Sequence, residues 1–287
     1  MPTSSLTGVT DVHIHLQPFE RGRPEALALI RQRVKDLDTL MSKLKDPRTL
    51  LDHLDAVGVE RACLISYPAP EVLGFEGDLN TPLADFARAD PKRLLPIGSV
   101  HPKFTKDPQR EVEHLVSIGI RALKVHPPHQ LYASNAYADG GLPILREIYA
   151  AAEKVGLPVM VHTGTSVFPG ARNKFGDPMG LDDVAQDFPG LKLIMAHGGR
   201  PLWCPTAYFL VRRHSNLYLD ISGIPPRRLL EYFPRLEDLK DKVLFGSDWP
   251  GPDVPGIREE IEAISALPLS EEFREKLFVQ NARRLFP

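Results

Sequence analysis

Two histidines stand two residues apart in the run Asp11-Val12-His13-Ile14-His15. In an extended strand, residues two apart share a face. Both imidazoles then point one way, and Val12 and Ile14 point the other. Taken alone, the pair fits two hydrogen-bonded structural histidines as well as two metal ligands. Three further apolar runs change that weighting. Residues 158–162 end in His162, residues 191–197 in His197 and residues 242–248 in Asp248. Imidazole nitrogens with a carboxylate suit Zn²⁺ or another first-row divalent ion. Residues 120–126 add Ala122, Lys124 and His126 on one face, opposite Leu123 and Val125. A lysine buried there is costly unless it is paired or used; a side chain snorkelling from a strand end is the alternative.

Residues so far apart in sequence meet only if the elements carrying them converge. Runs rich in aliphatic and β-branched residues recur at 9–15, 62–66, 94–100, 120–126, 158–162, 191–197, 217–222 and 242–248. The gaps between them read as helices. Residues 47–57 carry Leu50, Leu51, Leu54 and Val57 at helical spacing and are closed by Gly58. Residues 144–155 repeat this grammar before Gly156, and residues 270–286 read as a closing helix. The pattern predicts an α/β fold, a (β/α)₈ TIM barrel, which typically takes about 250 residues. An open doubly wound sheet is the alternative, but no Gly-rich phosphate loop follows the first run. No linker or composition shift divides the chain, so residues 1–287 are expected to be a single domain. Residues 17–45 form an insertion after strand one, with a predicted helix over 24–44, that serves as a lid or a dimer contact. In such a barrel all strand C-termini meet at one face, where active sites lie.

These motifs together resemble the amidohydrolase superfamily, and within it the amidohydrolase-related family of metal-dependent hydrolases and decarboxylases. Asp11-Val-His-Ile-His15 is similar to its opening signature, and Ala196-His197-Gly-Gly and Phe245-Gly-Ser-Asp248-Trp-Pro to its strand-six and strand-eight signatures. Leu277-Phe-Val-Gln-Asn281-Ala-Arg-Arg-Leu285 is similar to its closing helix. The resemblance covers nearly the whole chain and is specific for fold and metal rather than for substrate. It implies that His13, His15, His162 and Asp248 ligate one divalent metal ion, with zinc as the default. It also implies that His197 is the catalytic base or acid beside the activated water, with Asp248 able to share that role. In some members the strand-four lysine is carboxylated and bridges two metals; the reading favoured here has one metal and leaves Lys124 to bind substrate.

Other residues follow from placement. Arg200, after Gly198-Gly199, is placed to fork onto a substrate carboxylate. His126 and His101 follow their strands and are candidates for the substrate-binding mouth. Trp203 and Trp249 either wall a flat substrate or pack at loop bases. Asp220, with Ser222 on the same face, is placed to hydrogen-bond a ligand histidine. His53, His114 and His214 fall in predicted helices and read as surface residues.

Composition excludes other classes. Thirty-five Lys and Arg against 37 Asp and Glu leave a formal charge of -2, with no footprint for nucleic acid or an anionic membrane. Cys63 and Cys204 are the two cysteines, Cys63 in an apolar run, so a reducing compartment is expected. Residues 1–6 show neither the basic nor the apolar stretch of a secretory signal, and no apolar run approaches the ~18 residues of a membrane span. The expected setting is cytoplasmic, the partner a small-molecule substrate, and a homodimer is possible by analogy. The expected activity is metal-dependent hydrolysis of a small ester, lactone or amide bearing a carboxylate. The alternative is non-oxidative decarboxylation of an aromatic or unsaturated acid; a non-catalytic binding barrel comes third.

Overall fold

Eight short runs flanked by Gly and Pro become the parallel strands β1 (Val9–His15), β2 (Val59–Ile65), β3 (Leu94–Gly98), β4 (Ala122–Val125), β5 (Val159–His162), β6 (Leu193–Ala196), β7 (Leu217–Asp220) and β8 (Val243–Leu244). They come from a computed structural model that describes residues 7–287; residues 1–6, where a secretory signal would begin, lie outside the described residues. The strands hydrogen-bond in sequence order. Past the short β8, the ring is completed by backbone bonds to β1: Val12 N–H to the Phe245 carbonyl at 2.9 Å, Asp248 N–H to the His13 carbonyl at 2.9 Å and His15 N–H to the Trp249 carbonyl at 2.8 Å. With a helix between successive strands, this is the (β/α)₈ barrel that the pattern predicts.

Strand alternation builds two apolar layers. Leu64, Leu123, Val125, Val159, Val161, Leu193 and Leu219 face outward onto helix residues such as Leu50, Leu54 and Ile148. Cys63, Leu95, Ile97, Ala122, Met160, Ile194 and Leu244 fill the barrel interior. Val12 departs from expectation: it joins the inner cluster, while Ile14 packs outward. The cause is a register shift between Asp11 and Ile14 in the β1–β2 pairing, which breaks strict alternation as β-bulges do.

The helix Pro47–Val57 starts where the Asp46 carboxylate accepts the Thr49 N–H at 2.9 Å and ends at Gly58, whose φ of 83° suits a residue without Cβ. The insertion forms two helices, Pro24–Arg33 and Leu37–Lys45, rather than one over 24–44. Val34 turns inward in an extended conformation and Asp36 takes a left-handed φ of 49°, which its short polar side chain tolerates. The closing segment, Glu271–Leu285, contains one wide turn at Lys276–Gln280. There the buried Asn281 amide donates to the carbonyls of Lys240 (2.8 Å) and Val243 (2.7 Å), fixing β8 and hence the approach to Asp248. Both cysteines are free and buried. No helix among the described residues is long and apolar enough to cross a membrane.

Candidate metal centre

The strand ends bring His13, His15 and Asp248 together, with one donor atom from each lying within 4.8 Å of the others. Asp248 Oδ1 sits 3.1 Å from His15 Nε2 and 3.4 Å from His13 Nε2. On the far side of its ring, His13 Nδ1–H donates to Asp220 Oδ2 at 2.6 Å. That bond sets the tautomer and leaves the Nε2 lone pair for the site. Ser222 Oγ donates to the same carboxylate at 2.9 Å and stands 3.0 Å from Nδ1 of both His13 and His197. His197 Nδ1–H donates to the Ser222 carbonyl at 2.7 Å, an oxygen that can only accept, so its Nε2 is also unprotonated.

His162 is buried at the end of β5 but is not one of the three clustered donors. Its ring stacks on His126 at 3.8 Å and stands edge-on to His197 at 4.7 Å. Its Nε2 is buried without a hydrogen-bond partner among the described residues. An orphaned buried imidazole nitrogen beside two histidines with preset tautomers and an ionised carboxylate is the donor chemistry of a divalent-metal site.

Lys124 is wholly buried, with Nζ 3.3 Å from His13 Nε2. Burial lowers its pKa to about 8, against the pull of Asp220 and Asp248. Arg200 donates from Nε to the Gly223 carbonyl and from Nη2 to Asp248 Oδ2 at 3.4 Å. Burial alone would raise the Asp248 pKa, but the His15 hydrogen bond and the Arg200 charge hold it below the usual carboxylate range. Burial also lowers His13 to about 4 and His197 well below its usual value. His197 and Asp248 both carry a left-handed φ of 68°. That conformation is strained for residues with a Cβ, and such strain concentrates at functional sites.

His15, Lys124, His126, His162, His197, Arg200 and Asp248 line one cavity of about 800 Å³. Phe19 and Ile30 of the insertion contribute to its wall. Among the described residues, His101 does not line it: the ring stacks on Phe104 at 4.3 Å, and Nδ1 accepts the Lys103 N–H at 3.2 Å. Trp249 packs against His53 at 5.0 Å, and Trp203 precedes the helix Cys204–Arg213; both sit at loop bases. His214 corrects the surface reading: it is buried, with Nε2 2.6 Å from Asp182 Oδ1. His53 is half-buried and His114 exposed. Sequence reasoning passed over His129 and Tyr67, which line the cavity. His129 stacks on His126 at 3.5 Å. The one available signal was the spacing His126-Pro-Pro-His129, in which Pro127 starts a single helical turn that brings the second ring back over the first.

Polar strand ends converging on ligand-type side chains at the C-terminal face define the class of barrel enzymes built around a metal ion. The chain belongs to the amidohydrolase family, whose model matches residues 10–287. No curated protein sequence gives a significant match. Among solved structures, an uncharacterised TIM-barrel protein from Bordetella bronchiseptica is 21% identical, with a TM-score of 0.74 over 97% of this chain and 98% of that one. A 2,6-dihydroxybenzoate decarboxylase is 20% identical, with a TM-score of 0.68 over 98% and 99%. A 5-carboxyvanillate decarboxylase from Novosphingobium aromaticivorans, complexed with manganese and a nitrobenzoic acid, is 18% identical, with a TM-score of 0.67 over 99% and 97%. At these identities the likeness is one of fold.

Proposed function

We infer that the chain is a metal-dependent hydrolase of a small ester, lactone or amide that bears a carboxylate. The observation that carries this reading is the His197 Nδ1–H bond to the Ser222 carbonyl, which leaves Nε2 as a proton acceptor at the cavity floor. His13, His15 and Asp248 would hold the ion, with His162 supplying a fourth donor through its unpartnered Nε2. When bound, a divalent ion polarises a substrate carbonyl and lowers the pKa of water.

The chain's own groups do the rest. His197 Nε2 accepts a proton from the attacking water and returns it to the leaving group, a role worth about 10²–10⁴ in rate. Lys124, buried on the same floor, donates to the oxyanion that forms as water adds. Arg200, held by the Gly223 carbonyl and Asp248, keeps donors free for the substrate carboxylate.

A second reading is non-oxidative decarboxylation of an aromatic acid. It is favoured by the aromatic wall of Phe19, Tyr67, Phe75 and Phe168 above two cations, and by the activities named for two of the fold neighbours. Lactone and hydroxybenzoate panels run in ¹⁸O-labelled water separate the two. Label in a carboxylate product supports hydrolysis, and CO₂ release with no label in the organic product overturns it.

A further inference from the structure

Tyr67, His129 and Ser166 come from three separate segments, line the same cavity and have no part in the chemistry above. Tyr67 Oη lies 3.0 Å from His129 Nδ1, and His129 Nε2 lies 2.7 Å from Ser166 Oγ. The Phe168 N–H also donates to Ser166 Oγ, at 3.2 Å. Tyr67 and His129 are 3% and 2% exposed, whereas Ser166 is half-buried. Burial lowers the His129 pKa to about 3, so its ring carries one proton, and burial keeps the Tyr67 phenol protonated.

These facts give the chain a direction. Among the described residues His129 is the partner of the buried Tyr67 hydroxyl, and a buried O–H that donates to nothing keeps its full desolvation cost. Tyr67 therefore donates to Nδ1, and the single ring proton sits on Nε2 and donates to Ser166. Ser166 Oγ then accepts from both His129 and Phe168, which leaves its own proton to point at whatever occupies the cavity.

The two rings of the relay each stand beside a metal ligand, and Ser166 lies beyond His129. His126 lies between His129 and His162, whose ring centroids are 6.3 Å apart, and Tyr67 is 6.3 Å from His15. The Phe168 ring stands edge-on to His129 at 5.3 Å, so the surroundings are aromatic.

We propose that Tyr67, His129 and Ser166 form a recognition relay that offers the Ser166 hydroxyl to an uncharged oxygen acceptor, a carbonyl or ether, on the end of the substrate remote from the metal centre. The proposal rests on the reading that a substrate carboxylate occupies the Arg200 end. Tyr67 and His129 are positioning residues; Ser166 makes the contact.

The test has two readouts, neither of which requires turnover. In metal-loaded protein labelled with ¹⁵N-histidine, His129, assigned by its loss in His129→Gln, is expected as the Nε2–H tautomer. A wild-type Nδ1–H tautomer overturns the relay.

The second readout compares 3- and 4-acetylbenzoate with the 3- and 4-isopropylbenzoates, which match them in shape but lack the acceptor, by calorimetric titration. One acetyl acid is expected to bind about five- to tenfold tighter than its counterpart, the range of one hydrogen bond. Ser166→Ala is expected to erase that preference and leave isopropyl binding within about twofold. Equal binding of each pair to the wild type, or an undiminished preference in Ser166→Ala, overturns the relay alone. Failure of every acid to bind overturns the carboxylate reading, and the relay with it.

Discussion

His13 and Asp220 meet at 2.6 Å, Nδ1 to Oδ2, across 207 residues of sequence, and neither side chain is exposed. This one hydrogen bond decides which nitrogen of His13 faces the site. Asp220→Ala frees the ring to rotate or change tautomer. The expected result is zinc affinity weakened about 10–100-fold, as for other partners of ligand histidines, measured by competition with a chromogenic chelator. Affinity within twofold of wild type would mean that Asp220 does not orient the ligand.

Gly223 has a φ of 61°, and a Cβ there would lie 2.7 Å from Asp248 Oδ2 and 2.5 Å from Arg200 Nη2. Gly223→Ala thus combines an unfavourable backbone conformation with displacement of a ligand carboxylate. The expected outcome is a loss of about 1–2 kcal/mol in urea unfolding together with weaker zinc binding. Stability falling while zinc affinity stays unchanged would separate Gly223 from the metal centre.

His162→Ala tests the fourth ligand. Under identical loading and dialysis, the variant is expected to retain less zinc than wild type, because the buried Nε2 has no other partner among the described residues. Full metal content would remove His162 from the ligand set.

Glu260, on the helix Ile257–Ser265 in the cavity wall, has its pKa raised to about 7 by burial, with Asp11 and Asp248 adding to the effect. Below the model-peptide value both the folded and unfolded chains hold the proton, and stability is unaffected. As pH rises towards 7 the unfolded chain ionises first, so the native state binds more protons and stability falls. Glu260→Gln is therefore expected to match wild type near pH 4 and to have the higher urea midpoint near pH 8. A variant no more stable at the higher pH would contradict a carboxyl whose charged form burial disfavours.

Much of this architecture is legible in the residues because its signals are local. The observed strand Val9–His15 and helix Ile144–Val155 coincide with the ranges that periodicity and capping predict. The histidines and aspartate at strand ends announce themselves, since a barrel sends every strand end to one face. What escaped depends on contacts between distant segments. His129 reads as one histidine in a loop until its ring meets Tyr67, 62 residues away, and Ser166, 37 residues away. His214 reads as a surface residue until Asp182 comes to its Nε2. The inward turn of Val12 depends on a register shift that no alternation rule contains. His101 shows the reverse failure, since its position after a strand suggests the mouth, yet its ring is committed to Phe104.

The proposed site holds a single divalent ion at His13, His15, His162 and Asp248, with Lys124 left as a cation beside it rather than as a bridge between two ions. Elemental analysis of purified, metal-replete protein alongside Lys124→Met decides between one ion and two. About one zinc per chain is expected in both proteins, as for a site of one ion with histidine and carboxylate ligands. About two metals in the wild type, falling in the variant, would show that Lys124 bridges two ions and would contradict it.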